Sequence, residues 1–142
     1  MDRRDLLAWA IGLVSIHPNG PHGLPARRIV AIDREVRARF EYEQPVPHPA
    51  WDFSPAVEAH QPWRGNCVNL AWTTLSMLQR SGSPRDTLNV LLVLDAQHGG
   101  LHAVGLADDD LGRQWVVGDT FSPAYPYAAM RHKLVRQYRY GG

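Results

Sequence analysis

The chain has little cysteine and no long apolar run. Its 142 residues include a single cysteine, Cys67, which excludes an internal disulfide and a zinc site built from several thiolates. A lone cysteine is either a small buried apolar residue or a reactive thiol, and its neighbours decide between the two. The apolar stretch from Leu6 to Ile16 is too short to span a bilayer, so we expect no stable membrane insertion.

An excess of charge of either sign is also missing. Fifteen basic and fourteen acidic side chains give a net charge of +1. The basic residues occur singly or in pairs rather than along one stripe, so nucleic acid is not an expected partner. A hydrophobic fraction of 44% and a charged fraction of 20% are typical of folded globular proteins. This length and composition predict one domain covering residues 1–142.

The first sixteen residues have two interpretations. A charged start followed by Leu6 to Ile16 resembles an export signal, and Arg3-Arg4 resembles a twin-arginine signal. No small-x-small cleavage site follows, and the apolar residues recur at the spacing of a one-sided helix. We favour a structural helix, and with it a cytoplasmic rather than a periplasmic or secreted location.

Helical patterns come first along the chain and strand patterns second. Apolar spacing predicts helices from Ile29 to Phe40 and from Cys67 to Arg80. Between them, Gln44 to Pro62 holds five of the eleven prolines and is predicted to be an extended crossing loop. The predicted strands are Leu88 to Leu94, Leu101 to Ala107, Gln114 to Val117 and Leu134 to Tyr140. This order predicts an α+β domain with N-terminal helices packed on a mostly antiparallel sheet.

Cys67 begins the second predicted helix, directly after Gly65-Asn66. A thiol at a helix N-terminus lies at the positive end of the helix dipole and near free backbone N–H groups, which stabilise the thiolate. The same N–H groups, that of Cys67 in particular, point to where an oxyanion forms when sulfur attacks a carbonyl. A buried structural cysteine fits this position equally well, so the choice depends on whether a base is available.

His102 and Asp119 are the candidates for that base and for its orienting acid. His102 starts a strand after the Gly99-Gly100 turn, and Asp119 ends the following strand. A hairpin that turns at residues 110 and 111 places residue 102 opposite residue 119. We therefore predict that Asp119 orients the imidazole of His102, which acts as the base for Cys67. Taken alone, His102 could be a surface histidine and Asp119 a turn cap.

Several segments together resemble the bacterial transglutaminase-like cysteine peptidase family, within the papain-like and transglutaminase-like group. They occur in matching order between about Ile29 and Asp119: Phe40-Glu41-Tyr42, Trp51-Asp52-Phe53-Ser54-Pro55, Gly65-Asn66-Cys67-Val68-Asn69, Leu78-Gln79-Arg80-Ser81-Gly82, His102-Ala103-Val104 and Val117-Gly118-Asp119. The resemblance implies a papain-like fold and a triad of Cys67, His102 and Asp119. It also implies proteolysis of a protein or peptide substrate through a thioester acyl-enzyme.

Calcium beside the active site is a further property of that family, and here the chain departs from the pattern. The family carries Gly-Asp-Cys-Glu-Asp around the cysteine, whereas this chain has Asn66, Val68 and Asn69 at the acidic positions. Calcium prefers several charged oxygen ligands, so we expect no calcium site and no cofactor. The turn from Asp108 to Asp110 is predicted to be solvated rather than bound to a cation.

Four more residues are weaker candidates for lining the site. Trp51 and Trp63 can supply an indole N–H or simply pack, Gln61 resembles the side-chain donor that papain-like enzymes place near the oxyanion, and Asn66 flanks the cysteine. The six other histidines show no ligand spacing, so no metal site is predicted.

Other functions remain open on the same residues. A transglutaminase-type acyltransferase differs only in accepting an amine in place of water, and a peptidoglycan hydrolase uses the same groups on a muropeptide. A catalytically inactive binding module of the same fold is the alternative from another class, motivated by the neutral Asn66 and Val68. Retention of all three triad residues favours the enzyme.

Overall fold

A computed structural model describes residues 22–42, 63–97 and 99–141 of the chain. The predicted helix from Leu6 to Ile16 and the crossing stretch with Trp51 and Gln61 lie outside these ranges. Trp63 is described by its backbone alone. Within the described ranges, no helix combines the length and the apolar character needed to cross a membrane.

Two α-helices form where the apolar spacing predicts them. Helix α1 covers Ala26–Arg39 and helix α2 covers Cys67–Arg80. The first helix begins three residues before the predicted Ile29, and its predicted end is wrong by one residue, because Phe40 adopts an extended backbone (φ −90°, ψ 133°) and starts a strand. That strand, β1 (Phe40–Tyr42), pairs in parallel with β2 (Trp63–Gly65), a contact that the sequence did not predict.

The remaining strands form one antiparallel sheet. They are β3 (Leu88–Leu94), β4 (Leu101–Asp108), β5 (Gln114–Val117), β6 (Tyr125–Pro126) and β7 (Lys133–Arg139), arranged in the order β6-β5-β4-β3-β7. The predicted α+β class and the four predicted strands are confirmed. The short strand β6 was missed. Strand β7 begins and ends one residue earlier than predicted, and the buried Tyr140 follows it.

The two central strands bury side chains on both faces, which explains their continuous apolar sequences. One face packs under the helices through Leu88, Val90, Ala107 and Val117, together with Ile29, Ile32, Val36, Leu70, Leu75 and Leu78 of the helices. The other face forms a second cluster of Leu91, Val93, Val104, Leu106 and Val116. Neighbouring strand residues point to opposite faces, so both clusters come from the same short runs.

Helix α2 lies unusually close to β4 and to the end of β5. A Cβ atom at Gly105 would stand 3.1 Å from the Leu75 side chain and 2.9 Å from that of Val117. One at Gly118 would stand 2.8 Å from the Cα of Ala71, and the φ of +62° there also favours glycine. Two glycines therefore set the distance between the helix and the sheet.

The β4–β5 connection differs from the predicted two-residue turn. Asp108 pairs with Gln114, and the Asp109 N–H donates to the Arg113 carbonyl at 2.8 Å. The carboxylate of Asp109 is 2% exposed and accepts from the backbone N–H groups of Leu111 and Arg113, from Arg113 Nε and from Trp115 Nε1. The expectation of a solvated aspartate turn is thus wrong for Asp109, whose oxygens hold the turn together.

Candidate active site

Chemically active side chains gather at one end of the antiparallel sheet. This end comprises the C-terminal ends of β3 and β5 and the N-terminal ends of β4, β6 and β7, because neighbouring strands run in opposite directions. It places five residues together: Asp95, His102, Asp119, Tyr125 and His132. The N-terminus of α2, with Cys67, packs beside β4 through Ala103.

Cys67 is the first residue of α2 and is held there by a capping box. The Asn66 side chain accepts from the N–H groups of Val68 (3.0 Å) and Asn69 (3.2 Å), while Asn69 Oδ1 accepts from the Asn66 N–H (3.0 Å). The cap uses the second and third N–H groups of the helix and does not involve that of Cys67. Cys67 is 8% exposed, so a small part of its side chain is accessible.

His102 lies between Asp119 and Cys67. Its Nε2 is 2.9 Å from Asp119 Oδ1, and the Cys67 side chain lies near enough to influence the pKa of the ring. Burial acts to lower the pKa of His102, but the hydrogen bond to Asp119 and the electrostatic influence of Cys67 and Asp119 outweigh it and raise the pKa to about 9. The imidazole is therefore protonated at neutral pH and can donate from both ring nitrogens.

Asp119 reaches His102 in a way that the predicted register does not explain. Gly105 pairs with Val117, so a continued ladder would place Thr120 opposite His102, and the predicted pairing of residues 102 and 119 is off by one. Strand β5 ends at Val117, and Gly118 turns the chain with its left-handed φ of +62°. In a regular strand, a shift of one residue would point the Asp119 side chain to the opposite face of the sheet from His102. The turn at Gly118 changes the direction of the Asp119 side chain and brings it to His102.

Four donors converge on the Asp119 carboxylate. Oδ1 accepts from His102 Nε2 and from the Phe121 N–H at 3.0 Å; Oδ2 accepts from the Tyr125 hydroxyl at 2.8 Å and from His132 Nε2 at 3.1 Å. Burial raises the pKa of this carboxyl, but the hydrogen bonds from His102, Phe121 and Tyr125 outweigh it and hold the pKa well below its usual range. Asp119 is thus a fixed negative charge next to the imidazolium.

Aromatic side chains enclose the ion pair. Phe121 packs on His102 with ring centroids 4.9 Å apart. Burial and the bond to Asp119 raise the pKa of Tyr125, which keeps its hydroxyl protonated as a donor. His102 and Asp119 are 5% and 1% exposed, so little water competes for their hydrogen bond.

Helix α1 supports the loop that carries Asp119. The buried carboxylate of Asp33 accepts from the N–H groups of Gly118 (2.7 Å) and Ala124 (3.0 Å). Arg37, one turn later, donates to the Ser122 carbonyl at 2.6 Å and to Asp33 at 3.4 Å. Asp33 was not among the predicted site residues, although its place on the buried face of an amphipathic helix is a signal, because a buried carboxylate needs hydrogen-bond donors.

His132 is a second histidine that the sequence analysis passed over. Its Nε2 donates to Asp119, its ring meets that of His102 edge-on at 5.5 Å, and its Nδ1 is 3.7 Å from Asp95 Oδ1. Leu94 pairs with Lys133, so the neighbours Asp95 and His132 lie at the same end of β3 and β7. A cavity of about 540 Å³ opens beside Asp119, Tyr125, Arg131 and His132.

The residues around the cysteine do not fit a calcium ion. The side-chain oxygens of Asn66 and Asn69 are occupied by backbone N–H groups of the cap. Val68 is fully buried and offers no ligand atom. Calcium requires six to eight oxygen ligands, preferably charged, and this donor set does not supply them.

The structure brings some of the predicted site residues together and not others. It brings Cys67, His102 and Asp119 together, and it gives Asn66 a capping role beside the cysteine. Trp63 contributes backbone pairing in β2, while Trp51 and Gln61 are outside the described residues.

Comparison with solved structures identifies a similar protein, Legionella pneumophila LapG in its calcium-bound form. The two are 14% identical and superpose with a TM-score of 0.63 over 79% of this chain and 64% of the LapG chain. At this identity the likeness shows the fold, and it confirms the predicted α+β, papain-like class. This chain spans less than two thirds of the LapG chain. No family model and no curated protein sequence matches it.

Proposed function

We propose that this chain is a cysteine peptidase that hydrolyses amide bonds of a protein or peptide through a Cys67-His102-Asp119 triad. The observation that carries the proposal is the buried imidazole of His102, which hydrogen-bonds with Asp119 at 2.9 Å and lies near Cys67 at the start of α2. A histidine between a carboxylate and a helix-start thiol is the arrangement that activates a sulfur nucleophile. The resemblance to transglutaminase-like peptidases and the likeness of fold to LapG agree with this chemistry.

Each group of the triad has one role in acylation. The Cys67 sulfur attacks the amide carbonyl carbon, and negative charge develops on the carbonyl oxygen. The Cys67 N–H, which the cap does not use, is the donor that we assign to this oxygen. His102 then gives a proton to the leaving amine, and a thioester remains.

Deacylation reverses the proton transfer. Neutral His102 takes a proton from water, whose oxygen attacks the thioester, and the acid product leaves as Cys67 regains its thiolate. Asp119 keeps the ring in one orientation throughout. Its carboxylate accepts from three donors besides His102, so it is a rigid acceptor.

The test is turnover of fluorogenic peptides with small residues around the cut, using the full chain. Cleavage should be lost in Cys67→Ala and nearly lost in His102→Ala, whereas His22→Ala, which removes an exposed histidine, should match the wild type. A thiol-alkylating probe should label Cys67 quickly near neutral pH and slowly in His102→Ala. Equal, slow labelling in both proteins together with no turnover would identify an inactive module of the same fold.

Two further substrates separate the alternative reactions. A primary amine added to the peptide assay would be incorporated into the product by an acyltransferase, because the amine replaces water at the thioester. Release from purified muropeptides without cleavage of the peptide panel would indicate a peptidoglycan hydrolase. We expect free-acid products from peptides and no dependence on added amine.

A further inference from the structure

We propose that His102, Asp119 and His132 form a binding site for a divalent transition-metal ion, of which Zn²⁺ is the best match, and that its occupation switches off the thiol chemistry. The first part concerns binding and stands on geometry alone. The second part rests on the proposed function, since it requires His102 to be the base.

The three side chains present converging ligand atoms. Asp119 Oδ1 lies 2.9 Å from His102 Nε2, Asp119 Oδ2 lies 3.1 Å from His132 Nε2, and one ligand atom from each residue falls within 4.8 Å of the others. A tetrahedral zinc ion with bonds of about 2.0–2.1 Å needs ligand atoms roughly 3.3 Å apart. The two contacts with Asp119 are already near this spacing, whereas the widest separation, up to 4.8 Å, would have to close by up to about 1.5 Å through rotation of the side chains.

His132 has an unusual environment that a metal ion would satisfy. Its Nε2 faces the Asp119 carboxylate, and its buried Nδ1 has no hydrogen-bond partner among the described residues, although Asp95 Oδ1 is 3.7 Å away. A neutral imidazole carries one N–H and cannot donate to carboxylates on both sides. With a metal on Nε2, the proton moves to Nδ1 and points at Asp95.

This arrangement also supplies the second layer that metal sites need. A histidine ligand usually donates its other N–H to a carboxylate, which orients the ring and increases its basicity. Asp95 takes that position for His132, while Asp119 keeps the Phe121 N–H and the Tyr125 hydroxyl as further donors. The cavity beside Asp119 and His132 gives an entry path and room for water as a fourth ligand.

The ligand set selects the class of metal. Two imidazole nitrogens and one carboxylate suit Zn²⁺ and its neighbours, whereas calcium and magnesium prefer oxygen alone. Binding displaces the protons that join the two rings to Asp119, so affinity should rise with pH. It also removes His102 from proton transfer and Asp119 from its orienting role, which is why the bound state should be inactive.

Calorimetric titration of Zn²⁺ into the full-length Cys67→Ser variant tests binding without the thiol as a competing ligand. We expect one equivalent to bind at pH 7.5 and at least tenfold weaker binding after His132→Asn is added. Asp95→Asn should weaken binding by a smaller factor, and His22→Ala should leave it unchanged. Near-UV circular dichroism establishes that each variant is folded. Equal affinity in the His132→Asn and His22→Ala backgrounds would overturn the site.

Cobalt substitution in the wild type tests the ligand set directly. Co²⁺ at the proposed site should give the visible absorption of a four-coordinate ion without a sulfur-to-cobalt charge-transfer band. A strong charge-transfer band would place the metal on Cys67 and refute the assignment.

Peptide turnover tests whether the bound ion inhibits the enzyme. Peptide turnover should fall as one equivalent of Zn²⁺ binds and should return with EDTA. Full turnover with the site occupied would refute the switch but leave the site intact. If the chain cleaves no peptide, the calorimetry and the cobalt spectrum still decide the metal site, so the two proposals fail separately.

Discussion

At the scale of single residues, the feature that organises this site is the number of donors on Asp119. Four hydrogen bonds reach its two oxygens, and the donors come from two strands, from a loop and from the residue before a third strand. A carboxylate held in this way cannot rotate to follow the imidazole. The histidine must therefore adapt to the acid, which restricts His102 to one ring orientation.

The first prediction concerns His102 and Asp119 as a unit. Asp119→Asn should lose less activity than His102→Ala, because asparagine keeps a group beside the imidazole but favours the wrong tautomer. Combining Asp119→Asn with His102→Ala should cost little beyond His102→Ala alone, since no imidazole remains to orient. The measurement is kcat/KM for one peptide in the three variants, with Tm as a check on folding. Independent, multiplicative losses would show that Asp119 is only structural.

The second prediction is a pH dependence of stability. The pKa of His102 is about 9 in the folded protein and near 6.5 in the unfolded chain, so the folded state binds more protons between these values. The stabilisation is fully present below pH 6.5 and is lost as the pH rises through about 9. Urea unfolding of metal-free protein should therefore give a free energy that falls over this range. His102→Asn should flatten the curve, and parallel curves would contradict the assignment.

At the scale of elements, the start of α2 is stabilised by neutral amides instead of carboxylates. Replacing Asn66 with alanine removes the acceptor for two helix N–H groups and should cost about 1 kcal/mol of unfolding free energy, whereas Asn66→Ser should keep most of the cap. Chemical denaturation of the two variants measures the difference. Equal stabilities would mean that the capping box does not hold the helix start.

Helix α1 acts on the site through Asp33, which holds the loop between Gly118 and Ala124. Asp33→Ala leaves the buried Gly118 N–H and the partly buried Ala124 N–H without an acceptor and should cost about 2 kcal/mol. Asp33→Asn should retain part of this stability but shift the loop, lowering kcat by about tenfold or more with a smaller change in KM. The exposed Glu35 on the same helix gives a matched control as Glu35→Gln. A loss of stability with unchanged kcat would limit Asp33 to a structural role.

The helices and strands differ in how well the sequence predicts them. Apolar spacing and β-branched runs predicted α2, β3 and β5 at their observed bounds, because these elements are set by local pattern and burial. Strands β1 and β2 were missed because they are three residues long and pair across 23 positions. A pairing of this kind depends on tertiary position, and Phe40 is compatible with a helix or a strand.

The candidate site also contains residues that local pattern predicts and residues whose contacts depend on the tertiary fold. A helix start and two strand ends predicted that Cys67, His102 and Asp119 lie together, and the structure brings them together although the assumed register was off by one residue. His132 could not be found, because its contact with the Asp119 loop depends on which strand lies next to β7. Asp33 could be noticed as an acidic residue on the buried face of α1, but the sequence does not show that its partners lie in the Asp119 loop. The alternation of apolar and polar residues near the C-terminus predicted strand β7, but it did not show that β7 pairs with β3.

At the scale of the whole molecule, the structure predicts indifference to calcium. A ligand stabilises a folded protein only if it binds the native state, and the cap around Cys67 has no free carboxylate to offer. Millimolar Ca²⁺ added to metal-free protein should leave the Tm unchanged. Zn²⁺ at one equivalent is the matched positive control, since it should raise the Tm. A clear rise with calcium would reveal an oxygen-rich site elsewhere in the chain.

The short distance between helix α2 and the sheet restricts which residues can replace Gly105 and Gly118. Cys67 belongs to the helix, whereas His102 and Asp119 belong to the sheet side, and Gly105 and Gly118 set the separation between the two bodies. Any larger side chain at either glycine would move Cys67 away from His102. In a saturation library selected for peptide turnover, these two positions should accept as few substitutions as Cys67, His102 and Asp119, while the exposed residues of strand β7 should accept many.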